Sequence, residues 1–144
     1  MIHLRPAVLE DAEFLFRLRN DAETRRASLH TDAVSWPDHT GWLDRQLKDQ
    51  PVKIYIGMAG HEPVGTVRFE YVSTDRILSW TVAPEHRGKG IGKPMVEALI
   101  RGLAGGRLKA QIKPDNLASR RIAESVGMML EGQTDALCVY VLEK

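Results

Sequence analysis

Between Arg87 and Lys93 the chain reads RGKGIGK, and it turns apolar at Met95 and Val96. Glycine lets a backbone adopt positive φ and approach a ligand closely. A helix start offers unpaired N–H groups and about half a positive charge. Together these make an anion site before any side chain contributes. Lys89, Lys93 and Arg87 add charge, and a guanidinium such as that of Arg87 suits a bidentate grip on phosphate. The Walker A loop needs a Ser or Thr after its Gly-Lys, but Lys93 is followed by Pro94. The dinucleotide fingerprint is G-x-G-x-x-G after a first strand, whereas this segment is G-x-G-x-G and lies past the middle of the chain. Both fit poorly.

Arg87-Gly88-Lys89-Gly90-Ile91-Gly92 does match Arg/Gln-x-x-Gly-x-Gly/Ala. That is the pyrophosphate loop of the GNAT superfamily of acetyl-CoA-dependent N-acetyltransferases. The segment NLASRRIAESVGM (116–128) resembles the family's next motif, N-x-x-Ala/Ser-x-x-Leu-Tyr-x-x-x-Gly-Phe, and the order of elements agrees along essentially the whole chain. The resemblance implies acetyl-CoA as co-substrate and no metal. Val82 would pair its backbone with the pantetheine arm as though the cofactor were an added strand. The N–H groups from Arg87 to Gly92 would hold the pyrophosphate, with Lys93 beside them. Asn116 and Ser119 would line the thioester end of the groove, and Arg120 or Arg121 could reach the outer phosphates. A backbone N–H near Trp80 to Val82 would face the oxyanion of the tetrahedral intermediate.

Acetylating an amine requires the amine to lose a proton first, because alkylammonium groups have pKa values near 10. The departing thiolate also takes up a proton. Family members often supply it from a Tyr, but here that position is Ala123, and the strand before the loop has Ile77-Leu78-Ser79 where a Glu base is usual. The resemblance to the branch containing ribosomal-protein N-terminal acetyltransferases makes Ser119 the first candidate acid, although a small residue there also suits packing under a cofactor. Tyr140 and Tyr71 are further hydroxyl donors, and Glu70 and Asp75 are candidate bases.

The segment LRNDAETRRASLHTDAVSWPDHTGWL (18–43) resembles amino-sugar-nucleotide N-acetyltransferases, with Arg19, Asn20, Trp36 and His39 matching best. The ring of Trp36 or Trp80 could stack on a sugar or base, and His39 could accept a proton near neutral pH. The plainer reading has the tryptophans stapling a helix to the sheet and His39 at the surface. The expected acceptor is therefore a small-molecule primary amine, a nucleotide-linked amino sugar foremost. A protein N-terminal acetyltransferase and a non-catalytic acyl-CoA-binding domain are the alternatives.

These residues need a scaffold. Strands are expected at 2–7, 52–58, 62–72, 76–84, 107–113, 128–133 and 136–142, from alternating or β-branched apolar runs. Helices are expected over 10–21, from Ser35 (an N-cap with Pro37 behind it), over 91–103 and over 116–126. In the second of these, Trp36, Thr40, Leu43 and Leu47 share a face. Residues 20–34 read as a loop or frayed helix. The sum is one α/β (α+β) domain spanning 1–144, with a mixed, mostly antiparallel sheet of six or seven strands and about four helices.

Composition excludes several classes. The formal net charge is +1, too small to argue for nucleic acid, yet residues 84–121 hold nine Lys or Arg against three Asp or Glu. Cys138 is the only cysteine, so no disulfide can form within the chain. The five His lack the i, i+4 spacing of a zinc pair. No apolar run is long enough to span a bilayer, and the first residues lack the apolar core of a signal peptide. A cytoplasmic protein without a membrane or nucleic-acid partner is expected, and a homodimer is left open.

Overall fold

The computed structural model describes residues 1–48 and 52–144. One seven-stranded sheet runs through the molecule in the order β1-β2-β3-β4-β5-β7-β6. The strands are β1 (Ile2–Pro6), β2 (Val52–Ala59), β3 (Glu62–Val72), β4 (Asp75–Val82), β5 (Arg107–Ile112), β6 (Met129–Gln133) and β7 (Cys138–Glu143). Every pairing is antiparallel except β4 with β5. The helices are α1 (Ala12–Asn20), α2 (Ala22–Ala27), α3 (Trp36–Lys48), α4 (Gly92–Gly102) and α5 (Leu117–Ser125).

Alternation along the strands decides which helix covers which face. Ile54, Ile56 and Met58 of β2 pack with Leu15 of α1 and Leu43 of α3. The intervening Tyr55 turns to the other face, where Val67, Phe69 and Leu78 meet Met95, Val96 and Leu99 of α4. Trp80 and Val82 share that second face, so Arg68, Ser79 and Thr81 lie on the first. Beneath α5, Ala123 packs with Ala110, Met128, Cys138 and Tyr140. Each fully buried leucine in these clusters contributes about 2 kcal/mol through removal of apolar surface from water.

Two expectations change. Within the stretch read as a loop or frayed helix, residues 22–27 form a defined helix, capped by Asp21, whose carboxylate accepts the Thr24 N–H. Six residues are too few for a helix to persist alone, and its support comes from outside, as described below. On α3 the inward face is His39 and Leu43, with Trp42 and Leu47 partly buried, whereas Trp36 is 44% exposed. Ser35 does cap this helix, its hydroxyl accepting from the Asp38 N–H at 3.3 Å.

Candidate active site

β4 and β5 pair only from Asp75–Leu78 to Arg107–Ala110. Beyond that register β4 continues to Val82, and its edge towards β5 is unpaired while its other edge stays bonded to β3. A parallel pair that parts midway leaves backbone donors and acceptors facing a gap, and such groups need partners. The Trp80 indole N–H, on the stretch where the strands part, is buried without a hydrogen-bond partner among the described residues. A hollow of about 460 Å³ opens at this same end of the sheet, between Lys113–Asp115 and the β6–β7 turn at Asp135–Ala136.

The glycine loop follows directly. Gly88 and Gly90 have φ of +76° and +71°, and no atom lies within 4 Å of where a Cβ would stand. Their conformation, not crowding, calls for glycine. Gly92 differs: a Cβ there would sit 2.4 Å from Ile122 Cδ1, so glycine lets the start of α4 seat against α5. The N-terminus of α4 has no side-chain cap and no acid in its first turn. Among the described residues, Lys89 and Lys93 join no ion pair and stand exposed. Bare N–H groups, two lysines and an open strand edge are what an extended diphosphate ligand requires.

Arg87 is not free for that task. Its guanidinium bonds to Asp21 at 2.9 Å, Glu23 at 2.8 Å and Thr24 at 3.0 Å, and its Nε donates to the Val82 carbonyl at 3.2 Å. Its own N–H donates to the Pro84 carbonyl. Arg87 therefore supports α2, and the phosphate grip expected of its side chain gives way to this. Burial raises the Asp21 carboxyl, but Arg87 and the Thr24 N–H outweigh it and the pKa falls. Nearby, Arg17 grips Glu85 with two bonds and pushes its carboxyl down to about 2. Lys113 donates to the Arg26 carbonyl at 2.7 Å. The α1–α2 hairpin is thus tied to the loop and to the end of β5, across the mouth of the gap.

The residues expected on the acceptor side separate into two groups. Trp36 is exposed, with its ring edge-on to Phe16 at 5.1 Å. Arg19 is half-buried, its guanidinium 4.3 Å from the centre of the Trp42 ring. Asn20, in contrast, spends both ends of its amide on the backbone of Val34, at 2.8 Å each. It clamps the α2–α3 connection, with one amide N–H and one oxygen lone pair left over.

His39 is wholly buried, neither a surface residue nor an available base. Its Nε2–H donates to the Ala12 carbonyl at 2.8 Å and its Nδ1 accepts from Arg19 at 3.1 Å. Both nitrogens are engaged, which fixes the neutral tautomer. Burial lowers its pKa below 6.5, the Arg19 charge adds to this, and the Ala12 carbonyl opposes it. Below that value the unfolded chain binds a proton that native His39 refuses. The stability contributed by the neutral ring is complete above about pH 6.5 and declines as pH falls towards the native pKa. Denaturant unfolding at pH 7.5 and pH 5.5 is expected to show this loss, and His39→Gln is expected to reduce it. An equal loss in both proteins would contradict the assignment.

Ser119 sits half-buried in the first turn of α5, and its N–H donates to the Asn116 side chain that caps the helix. Tyr140 is fully buried on the α5 side of the sheet. Its hydroxyl donates to Glu124 at 2.8 Å and accepts from Arg120 at 3.1 Å. Burial raises its pKa, so it is a structural phenol and not the free acid expected. Arg120 is held by Tyr140 and by the Pro114 carbonyl, away from a phosphate role. Among the described residues no three His, Cys, Asp or Glu gather as metal ligands, and no helix is long and apolar enough to cross a membrane.

Sequence reading passed over Trp42 as a support for Arg19, and it passed over Arg68 altogether. The alternation of β3 places Arg68 opposite Val67 and Phe69, but it does not reveal which face α3 covers.

The profile described as an acetyltransferase (GNAT) domain matches residues 2–129. Comparison with curated protein sequences gives no match. Among solved structures, the aminoglycoside acetyltransferase AAC(6')-Ib in complex with coenzyme A is similar at a TM-score of 0.85 and 20% identity, over 100% of this chain and 95% of that one. Spermidine N-acetyltransferase from Vibrio cholerae, in complex with CoA and spermine, gives 0.86 at 15% identity, over 99% and 95%. RimL, the ribosomal L7/L12 alpha-N-protein acetyltransferase in complex with coenzyme A, gives 0.84 at 18%, over 99% and 93%. At these identities the likeness is one of fold. Matched along most of its length by that profile, this chain belongs to the GNAT family of acetyl-CoA-dependent N-acetyltransferases.

Proposed function

We propose that the acceptor is the primary amine of a nucleotide-linked amino sugar. The observation that carries this is the exposed aromatic surface of Trp36, braced edge-on by Phe16. A rigid, half-exposed indole offers a stacking plane for a sugar or base at little cost in side-chain entropy.

In this reading the N–H groups of Gly88 to Gly92 hold the pyrophosphate of the acyl donor, and Lys89 and Lys93 supply charge. Val82 and the open edge of β4 take the pantetheine arm as an extra strand. The bound thioester supplies an activated acetyl group. The orphaned Trp80 N–H is satisfied by a carbonyl of the donor, since an unpaired buried donor costs about 1–3 kcal/mol. Asn116 holds the first turn of α5 in place, and the Ser119 hydroxyl would relay to the departing sulfur the proton that the acceptor amine gives up. A thiolate is a good leaving group, so positioning carries much of the rate. His39 fixes Arg19 and Asn20 fixes the α2–α3 connection, each shaping the acceptor side without touching the substrate.

The test is acetyl-CoA turnover with four acceptor sets: UDP- and dTDP-linked amino sugars, aminoglycosides, polyamines, and peptides with free N-termini. Turnover is expected only with the nucleotide sugars, falling at least tenfold in Trp36→Ala. Transfer to peptides or polyamines but to no sugar nucleotide would remove the acceptor class. Tight acetyl-CoA binding without transfer to anything would favour a non-catalytic domain.

A further inference from the structure

Two guanidinium groups lie over one indole on the acceptor side. Arg19 lies 4.3 Å and Arg68 5.7 Å from the centre of the Trp42 ring. Among the described residues neither has a carboxylate within 4 Å, whereas Arg5, Arg17, Arg26, Arg87 and Arg107 all do. Both are held by neutral groups: Arg19 donates to His39 Nδ1 at 3.1 Å, and Arg68 Nε donates to Ser79 Oγ at 2.9 Å. His39 cannot serve as a counter-ion, because its ring is neutral and bonded to Ala12. Glu70, two residues along β3, is near enough to influence Arg68 but makes no ion pair with it. The Arg68 charge in turn adds to burial in lowering the Arg19 pKa.

Holding two like charges close together without an acid between them opposes folding. The arrangement becomes favourable when an anion sits between them. It also has a direction. Arg68 and Ser79 share the sheet face that carries α1 and α3, and Ser79 is the first β4 residue beyond its pairing with β5. The pair therefore borders the opening from the side opposite α4, whose N-terminus lies on the far face.

We propose that Arg19 and Arg68, braced on Trp42, form a subsite for a phosphoryl group of the acceptor. This rests on the acceptor reading above and sharpens it: the acceptor's phosphoryl groups are held by Arg19 and Arg68. A polycation such as an aminoglycoside or a polyamine meets two arginines and is repelled. The subsite contributes to binding and orientation, and neither arginine exchanges a proton.

The test uses the full chain saturated with coenzyme A, so that the α4 phosphate site is filled. UDP and inorganic pyrophosphate are then titrated by calorimetry. Both are expected to bind the wild type, and Arg19→Met and Arg68→Met are each expected to weaken them at least tenfold. Arg68→Lys should recover part of the loss, and Arg101→Met, on the exposed end of α4, should change nothing. Coenzyme A affinity should stay within twofold throughout, which shows the variants folded. No binding of either anion to the wild type, or binding unmoved by Arg19→Met and Arg68→Met, overturns the subsite. That result leaves acetyl transfer to a nucleotide-linked amino sugar whose diphosphate is held elsewhere intact, whereas absence of any sugar-nucleotide turnover strikes the acceptor reading itself.

Discussion

Gly90→Val is expected to weaken coenzyme A binding about a hundredfold while leaving the fold in place. Gly90 has φ +71°, and open space surrounds the position a Cβ would take. A valine there meets no neighbour, but it disfavours the left-handed conformation by about 1–2 kcal/mol. The loop then relaxes towards negative φ and turns its N–H groups away from the phosphate position. Hydrogen bonds to a charged group are worth about 1.5–3 kcal/mol each. Losing one or two of them, with methyl groups obstructing close approach, gives the hundredfold, about 2.7 kcal/mol. Calorimetric titration with coenzyme A reads the affinity, and a melting curve confirms that the protein remains folded. Lys89→Ala should cost less, since a flexible exposed lysine contributes screened charge and no fixed geometry. Unchanged affinity in Gly90→Val would show that the diphosphate lies elsewhere.

Gly65→Ala is expected to be the most damaging single-methyl change in the sheet, costing about 3 kcal/mol of stability. An added Cβ would lie 2.5 Å from the carbonyl oxygen of Thr81, with Met95 Sδ at 2.9 Å. The methionine can turn aside. The carbonyl belongs to the backbone of β4, and moving it means prying β3 from β4. Gly65 stands opposite Val82 in that ladder. The strain therefore falls on the residue whose open edge is proposed to take the pantetheine arm, and on that proposal the KM for acetyl-CoA should rise together with the loss of stability. A fall in melting temperature of about 10 °C is the corresponding thermal reading. Gly57→Ala is the informative comparison, because its closest contacts are the side-chain atoms of Met95, at 2.4 and 3.1 Å. It should be much milder. Equal losses in the two variants would mean that the Thr81 carbonyl is not the obstacle.

Both experiments probe places where the chain comes close to something without a side chain in between. The sequence announces the first of them. Alternating glycines before an amphipathic run have few uses, and the left-handed φ at Gly88 and Gly90 is a local property of the backbone. The second is silent, because Gly65 reads like any glycine in a strand until β4 is laid beside it.

The same division runs through the rest of the molecule. Local rules suffice for strand alternation, the Ser35 and Asn116 caps, the glycine loop and the motif on α5. Each depends on neighbours within about four residues, and the order of strands and helices follows from them. The fate of particular side chains does not. Arg87 looks free beside the glycines, yet Asp21 and Glu23, more than sixty residues earlier, claim it. His39 looks like a titrating surface residue, yet Ala12 and Arg19 bury and neutralise it. Tyr140 looks like a spare acid, yet Glu124 and Arg120 hold its hydroxyl. A hydrogen bond or ion pair depends on distances of a few ångströms between segments far apart in the chain, and sequence spacing carries no record of them. The sequence by itself settled that a glycine-rich loop opens a helix in a mixed sheet, and it pointed to a diphosphate as the ligand. Only the tertiary structure decided which of the nearby charges remain free to meet a ligand, because a charge already paired within the protein has little left to offer outside it.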